Sequence, residues 1–97
     1  MFIVLLKFAA NRSRAGEFLD GHKKWLQRGF ADGIFVLAGS LLPGVGGGIL
    51  AQGLSRAELE TRVARDPFVA QGVVDAEILE LAPSKTDTRL DFLRGAA

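Results

Sequence analysis

Gly33-Ile34-Phe35-Val36-Leu37-Ala38-Gly39 is a β-branched and aliphatic run closed at both ends by glycine, the pattern of a buried strand. Upstream of it, Ala15, Phe18, Leu19, His22, Trp25, Leu26 and Phe30 recur at helical spacing and predict an amphipathic helix running to about Phe30. Asn11 and Ser13 are its candidate caps, and Gly29 or Gly33 its candidate stop. Before the helix, Phe2-Ile3-Val4-Leu5-Leu6, ending at Lys7 and Phe8, reads as a first strand. Downstream, a loop from Gly39 to about Gly47 leads to a third strand, Gly48 to Gln52.

Ser55-Arg56-Ala57-Glu58 is a capping box, in which hydroxyl and carboxylate satisfy each other's terminal backbone donors. The helix that it opens carries Leu59 and Val63 inward and Glu58 and Arg62 as an exposed i, i+4 pair, and stops at Asp66-Pro67. A turn over Phe68 to Gly72 precedes a fourth strand, Val73 to Leu81, in which Val74, Ala76 and Ile78 alternate with Asp75 and Glu77. The order is βαββαβ, an α+β ferredoxin-like pattern, in a single domain over residues 1–97 with its core at about 1–82. The remainder, 83–97, is a polar tail anchored by Leu90, Phe92 and Leu93 and expected to fray beyond Arg94.

Regular alternation turns Ile34, Val36 and Ala38 to one face of the sheet and Phe35 and Leu37 to the other. Two helices cover only one face. The other would leave an apolar patch that soluble monomers rarely tolerate, so a homodimer packed sheet on sheet is expected.

Composition narrows the chemistry. Twelve basic and eleven acidic residues give a net charge of +1, which supplies no electrostatic footprint for nucleic acid. The cations of the first helix, Arg12, Arg14, Lys23, Lys24 and Arg28, are interrupted by Glu17 and Asp20 and read as a solvated face. The absence of cysteine excludes disulfides, thiol nucleophiles and zinc–thiolate sites and fits a cytoplasmic protein. The apolar N-terminus has no basic segment ahead of it and is too short to span a bilayer, so a strand explains it better than a signal peptide. One histidine with scattered carboxylates does not make a metal site. Gly44-Val45-Gly46-Gly47-Gly48 fits neither phosphate-binding fingerprint and leads into a strand, so no nucleotide or other cofactor is implied.

His22, the one histidine, lies on the apolar stripe of the first helix, so the side chain that changes charge near neutral pH is aimed inward. It is either a core histidine held by a hydrogen bond or an acid/base group in a cleft. Asp66 ends a helix, where the dipole disfavours a carboxylate, and so needs a donor or cation. An imidazole is one candidate; the other is an Asp-Pro turn closed by the carboxylate itself. Ser40 stands at a strand end where a cleft would open, and Trp25, Phe35 and Phe68 are either walls of that cleft or core.

In this order and spacing, His22 with Trp25-Leu26, Gly33 through Gly39, Gly47-Gly48-Ile49-Leu50-Ala51, Ser55 through Leu59, and Asp66-Pro67-Phe68 leading through Gly72-Val73 to Glu77-Ile78 resemble the YCII-related family of dimeric α+β barrel proteins. The resemblance spans residues 1 to 81 and implies a ferredoxin-like protomer, sheet-to-sheet dimers and a cleft holding a His–Asp pair, here His22 and Asp66. The family often has proline where this chain has Ser40, which leaves that loop open. A dehydrochlorinase of aromatic-compound breakdown is among the members with an assigned reaction.

Two functions follow. In the first, His22 is the acid or base, oriented by Asp66, for proton transfer or elimination on a small cyclic or aromatic metabolite bound among Ser40, Trp25, Phe35 and Phe68. In the alternative, the homodimer binds a metabolite without catalysis, and the His–Asp pair only braces one helix against the other.

Overall fold

In the computed structural model, residues 1–94 are described. Strand β1, Phe2–Phe8, is apolar on both of its faces, and it lies inside the sheet, paired antiparallel to β3, Gly46–Ala51, and to β4, Val74–Glu80. Strand β2, Phe35–Leu41, pairs with the other edge of β3, giving the order β2-β3-β1-β4. This is the ferredoxin-like α+β sheet expected from the element order. Its inner face is filled by Phe2, Val4, Leu6, Phe35, Ile49, Ala51 and Val74, on which Leu59, Val63, Phe68 and Val73 pack. Of the apolar stripe of the first helix, Ala15, Phe18, Trp25 and Leu26 pack against this core, whereas Leu19 and Phe30 are exposed.

Helix α1, Ala15–Ala31, is preceded by a 3-10 turn, Arg12–Arg14. Neither Asn11 nor Ser13 caps it through its side chain; the Asn11 amide instead donates to the Gln71 carbonyl, tying the helix entry to the start of β4. Gly33, at φ +73°, ends α1, whereas Gly29 lies inside it, buried where a Cβ would run into the Phe35 ring. The capping box forms as expected and opens α2, Arg56–Ala64. The Phe68–Gly72 turn is in fact begun by a short helix α3, Pro67–Ala70, because Pro67 is pre-set for a first helical position and Asp66 supplies the cap. The tail forms a 3-10 turn, Thr88–Leu90, and a short helix α4, Asp91–Arg94, with Leu93 buried. The expected fraying beyond Arg94 lies outside the described residues.

Two strand readings need correction. Gly46 and Gly47 belong to β3 with Gly48, and Gly39 and Ser40 to β2, not to a loop: Gly46, at φ +146°, passes so close to the Leu6 carbonyl that a Cβ would collide with it. The connection is thereby shortened to residues 42–45. Alternation in β2 is also broken. Phe35 pairs with Ala51 and Leu37 with Leu50, so Val36 is an extra, bulged residue, and Phe35 and Ala38 both face the helices.

Leu37 consequently turns to the face the helices leave open. There Leu37, Leu50, Ile3 and Leu79 line up across all four strands, with Leu37 55% and Leu79 43% exposed. Asp75 and Glu77 on β4 and Lys7 on β1 share that face and border the apolar row with charge.

Candidate functional site

Position 22 falls on the side of α1 that looks toward α3, and the His22 ring reaches Asp66 there. Nδ1–H donates to Asp66 Oδ1 at 2.8 Å, the only direction open when the acceptor is a carboxylate. Asp66 is fully buried, while the His22 side chain keeps 17% exposure. The same Oδ1 accepts the Phe68 backbone N–H at 3.0 Å. Both candidate partners of Asp66 are therefore realised on one oxygen. The carboxylate is not left at the negative end of α2, because the chain turns at Arg65 and Asp66 becomes the N-cap of α3. Oδ2 is buried without a hydrogen-bond partner among the described residues. The turn and the imidazole thus hold Asp66 through the same oxygen.

Aromatic rings fix the imidazole plane. Phe68 stacks on it at 4.1 Å with a 5° tilt, and Trp25 lies 5.9 Å away at 28°. The Trp25 indole N–H donates to the Arg62 carbonyl at 2.9 Å, which ties α1 to α2 behind His22. Nδ1 being engaged, Nε2 is left without a protein partner among the described residues.

His22 lines a cavity of about 360 Å³ between α1 and the sheet. Leu19 and Leu26 of α1, Leu6 and Phe8 of β1, Phe68 of α3 and Val74 of β4 form its walls, and Ala38 and Ser40 of β2 with Gly46 to Ile49 of β3 form its floor. His22 is the only titratable residue in this lining and Ser40 the only hydroxyl. Ser40 pairs with Gly47, where no side chain competes for the space.

His22, Asp66, Phe68 and Ser40 are therefore brought to one place. Trp25 and Phe35 are not in the lining: Phe35 is a core residue set edge-on to Trp25, and Trp25 stands behind the imidazole. Leu6 and Phe8, absent from the sequence reading of the site, share strand parity with Val4, and that alternation was the available signal. Val74 carried the same signal. Gly46 to Gly48 carried none, since glycine content reads as loop.

A second cleft, of about 590 Å³, opens on the far side of Trp25, between α1 and α2, and excludes His22. Arg62 and Asp32 form an ion pair across it at 3.0 Å, so the expected Glu58–Arg62 pair does not form. Glu58 is taken by Ser55, whose backbone N–H, and then its side chain, hold the Glu58 carboxyl below its usual range. Among the described residues, no group of three or more His, Asp or Glu side chains is placed to hold a metal ion, and no helix is long and apolar enough to cross a membrane.

No family profile and no curated protein matches the sequence. Among solved structures, the fold is similar to that of 5-chloro-2-hydroxyhydroquinone dehydrochlorinase from Burkholderia phenoliruptrix AC1100, determined in complex with 2,5-dihydroxybenzoquinone. The TM-score is 0.67 over 84% of this chain and 93% of that one, at 14% sequence identity, a likeness of fold.

Proposed function

We propose that the protein is a small-molecule acid–base enzyme of the YCII-related type, in which His22 is the acid or base and Asp66 its positioning partner. The observation that carries this reading is the 2.8 Å Nδ1–Oδ1 bond to a fully buried carboxylate, made by a ring that also lines an apolar cavity. With Nδ1 committed, Nε2 is the nitrogen that exchanges protons. In an isomerisation it takes a proton from one substrate atom and returns it to another. In an elimination it takes the proton while the electron pair of the broken bond expels the leaving group. The Ser40 hydroxyl orients a ligand oxygen from the floor, and Phe68 and the leucines hold a neutral ring. Of the two reactions, elimination from a cyclic or aromatic substrate is the class we favour, and the dehydrochlorinase of similar fold supports it.

The test is a thermal-shift screen of small quinones, phenols and lactones, followed by turnover of the hits. Wild type should convert a hit, and His22→Asn should lower the rate by about 10²–10⁴-fold, the usual worth of a positioned acid or base. Equal rates, or binding with no turnover at all, overturn the reading. One observation favours the alternative of a metabolite-binding protein: the pair also joins α1 to α3, and Asp66 caps α3 whether or not chemistry occurs.

The open sheet face is read as the interface of a homodimer, since the apolar row Leu37–Leu50–Ile3–Leu79, bordered by charge, lies on the face that the helices leave open, where the same face of a second copy would cover it. Wild type should sediment as a dimer at micromolar concentration and Leu37→Glu as a monomer. A monomeric wild type would sink the interface.

A further inference from the structure

We propose that the cleft between α1 and α2 is a second ligand site, for a small organic anion that carries a carboxylate or a phosphate on an apolar or aromatic body. The cleft is lined by three guanidiniums, Arg28, Arg62 and Arg65, against two carboxylates, Asp32 and Glu58. Both carboxylates are already engaged, Asp32 by Arg62 and Glu58 by the Ser55 amide. The other polar groups of the walls are engaged as well: the Thr61 hydroxyl donates to the Ala57 carbonyl and the Trp25 indole to the Arg62 carbonyl. What remains uncommitted in the lining, among the described residues, is the pair Arg28, on α1, and Arg65, just past the C-terminal end of α2. A guanidinium offers a planar fork of donors that fits two oxygens of one anionic head group.

The apolar part of the cleft gives the rest of the ligand its place. Trp25, Ile34 and Leu54 line it beside the arginines. A volume of about 590 Å³ accommodates a substituted ring together with its head group. The His22 cavity, by contrast, has no cation in its lining other than what His22 itself carries. The two sites thus select different molecules, and the proposal does not depend on the acid–base reading.

Trp25 is the only tryptophan and lies in the wall, so its fluorescence reports on the cleft. The experiment titrates the protein with benzoate, phenyl phosphate, inorganic phosphate and the neutral benzyl alcohol, with calorimetry alongside to detect binding that leaves the emission unchanged. Benzoate or phenyl phosphate should bind saturably and more tightly than benzyl alcohol; which of the two binds tighter identifies the head group, and inorganic phosphate tells whether the head group suffices. Arg28→Gln with Arg65→Gln, both at exposed positions, should weaken binding at least tenfold, and His22→Asn should change it less than twofold. Binding by neither anion, equal binding of benzyl alcohol, or a response lost in His22→Asn and retained in the arginine double variant overturns the proposal.

Discussion

On one side of α1, His22 looks into walls of leucine, phenylalanine and glycine; one turn further on, Trp25 looks into a cleft carrying three arginines and two acids. The ring centroids of these two residues lie 5.9 Å apart, yet their surroundings differ in almost every physical respect. In the His22 cavity one buried carboxylate faces one imidazole, and few other dipoles or charges compete, so each hydrogen bond acts in a poorly screening medium. In the cleft the charges are exposed and screened, and an ion pair such as Arg62–Asp32 contributes at most about 1 kcal/mol. A short helix segment thus separates a place suited to moving a proton from a place suited to holding a charge.

The comparison breaks most sharply at Asp66. Asp66→Ala removes the cap of α3 and strands the Phe68 N–H and the His22 Nδ1–H, and should lower unfolding free energy by about 2–4 kcal/mol in urea denaturation. A loss below about 0.5 kcal/mol would mean that the pair does not brace the helices. Trp25 sharpens the comparison, since it belongs to both sides. Trp25→Phe keeps a ring against His22 but loses the bond to the Arg62 carbonyl, and should cost about 1–2 kcal/mol by the same measurement. No measurable cost would assign the join between α1 and α2 to the Arg62–Asp32 pair instead.

The order of elements was legible because each apolar run had one period and one pair of boundary signals. His22 and Asp66 could be marked because each broke a local rule, a titratable ring on an apolar stripe and an acid at a helix end. An imidazole was one of two candidate partners for Asp66, and the family resemblance implied the pair; what was not legible is that Asp66 takes both partners on one oxygen, because it caps α3, an element the sequence did not announce. The start of β3, Gly46 and Gly47, was hidden for a different reason. A strand without side chains has no period, and only the approach of the Leu6 carbonyl explains why glycine stands at 46. Arg62 was paired in the sequence reading with its helical neighbour, whereas the capping box had already claimed Glu58.

The bulge at Val36 acts on the protein as a reading frame acts on a message. Counted by twos from Phe35, Leu37 would enter the core and Ser40 would leave the cavity; the one extra residue reverses both assignments. A single insertion or deletion in β2 that straightened the ladder would therefore rewrite the floor of the His22 cavity and the outer face of the sheet in one step. Ligand choice and self-association are in this way exposed to the same length change, and relatives that differ by one residue here should differ in both.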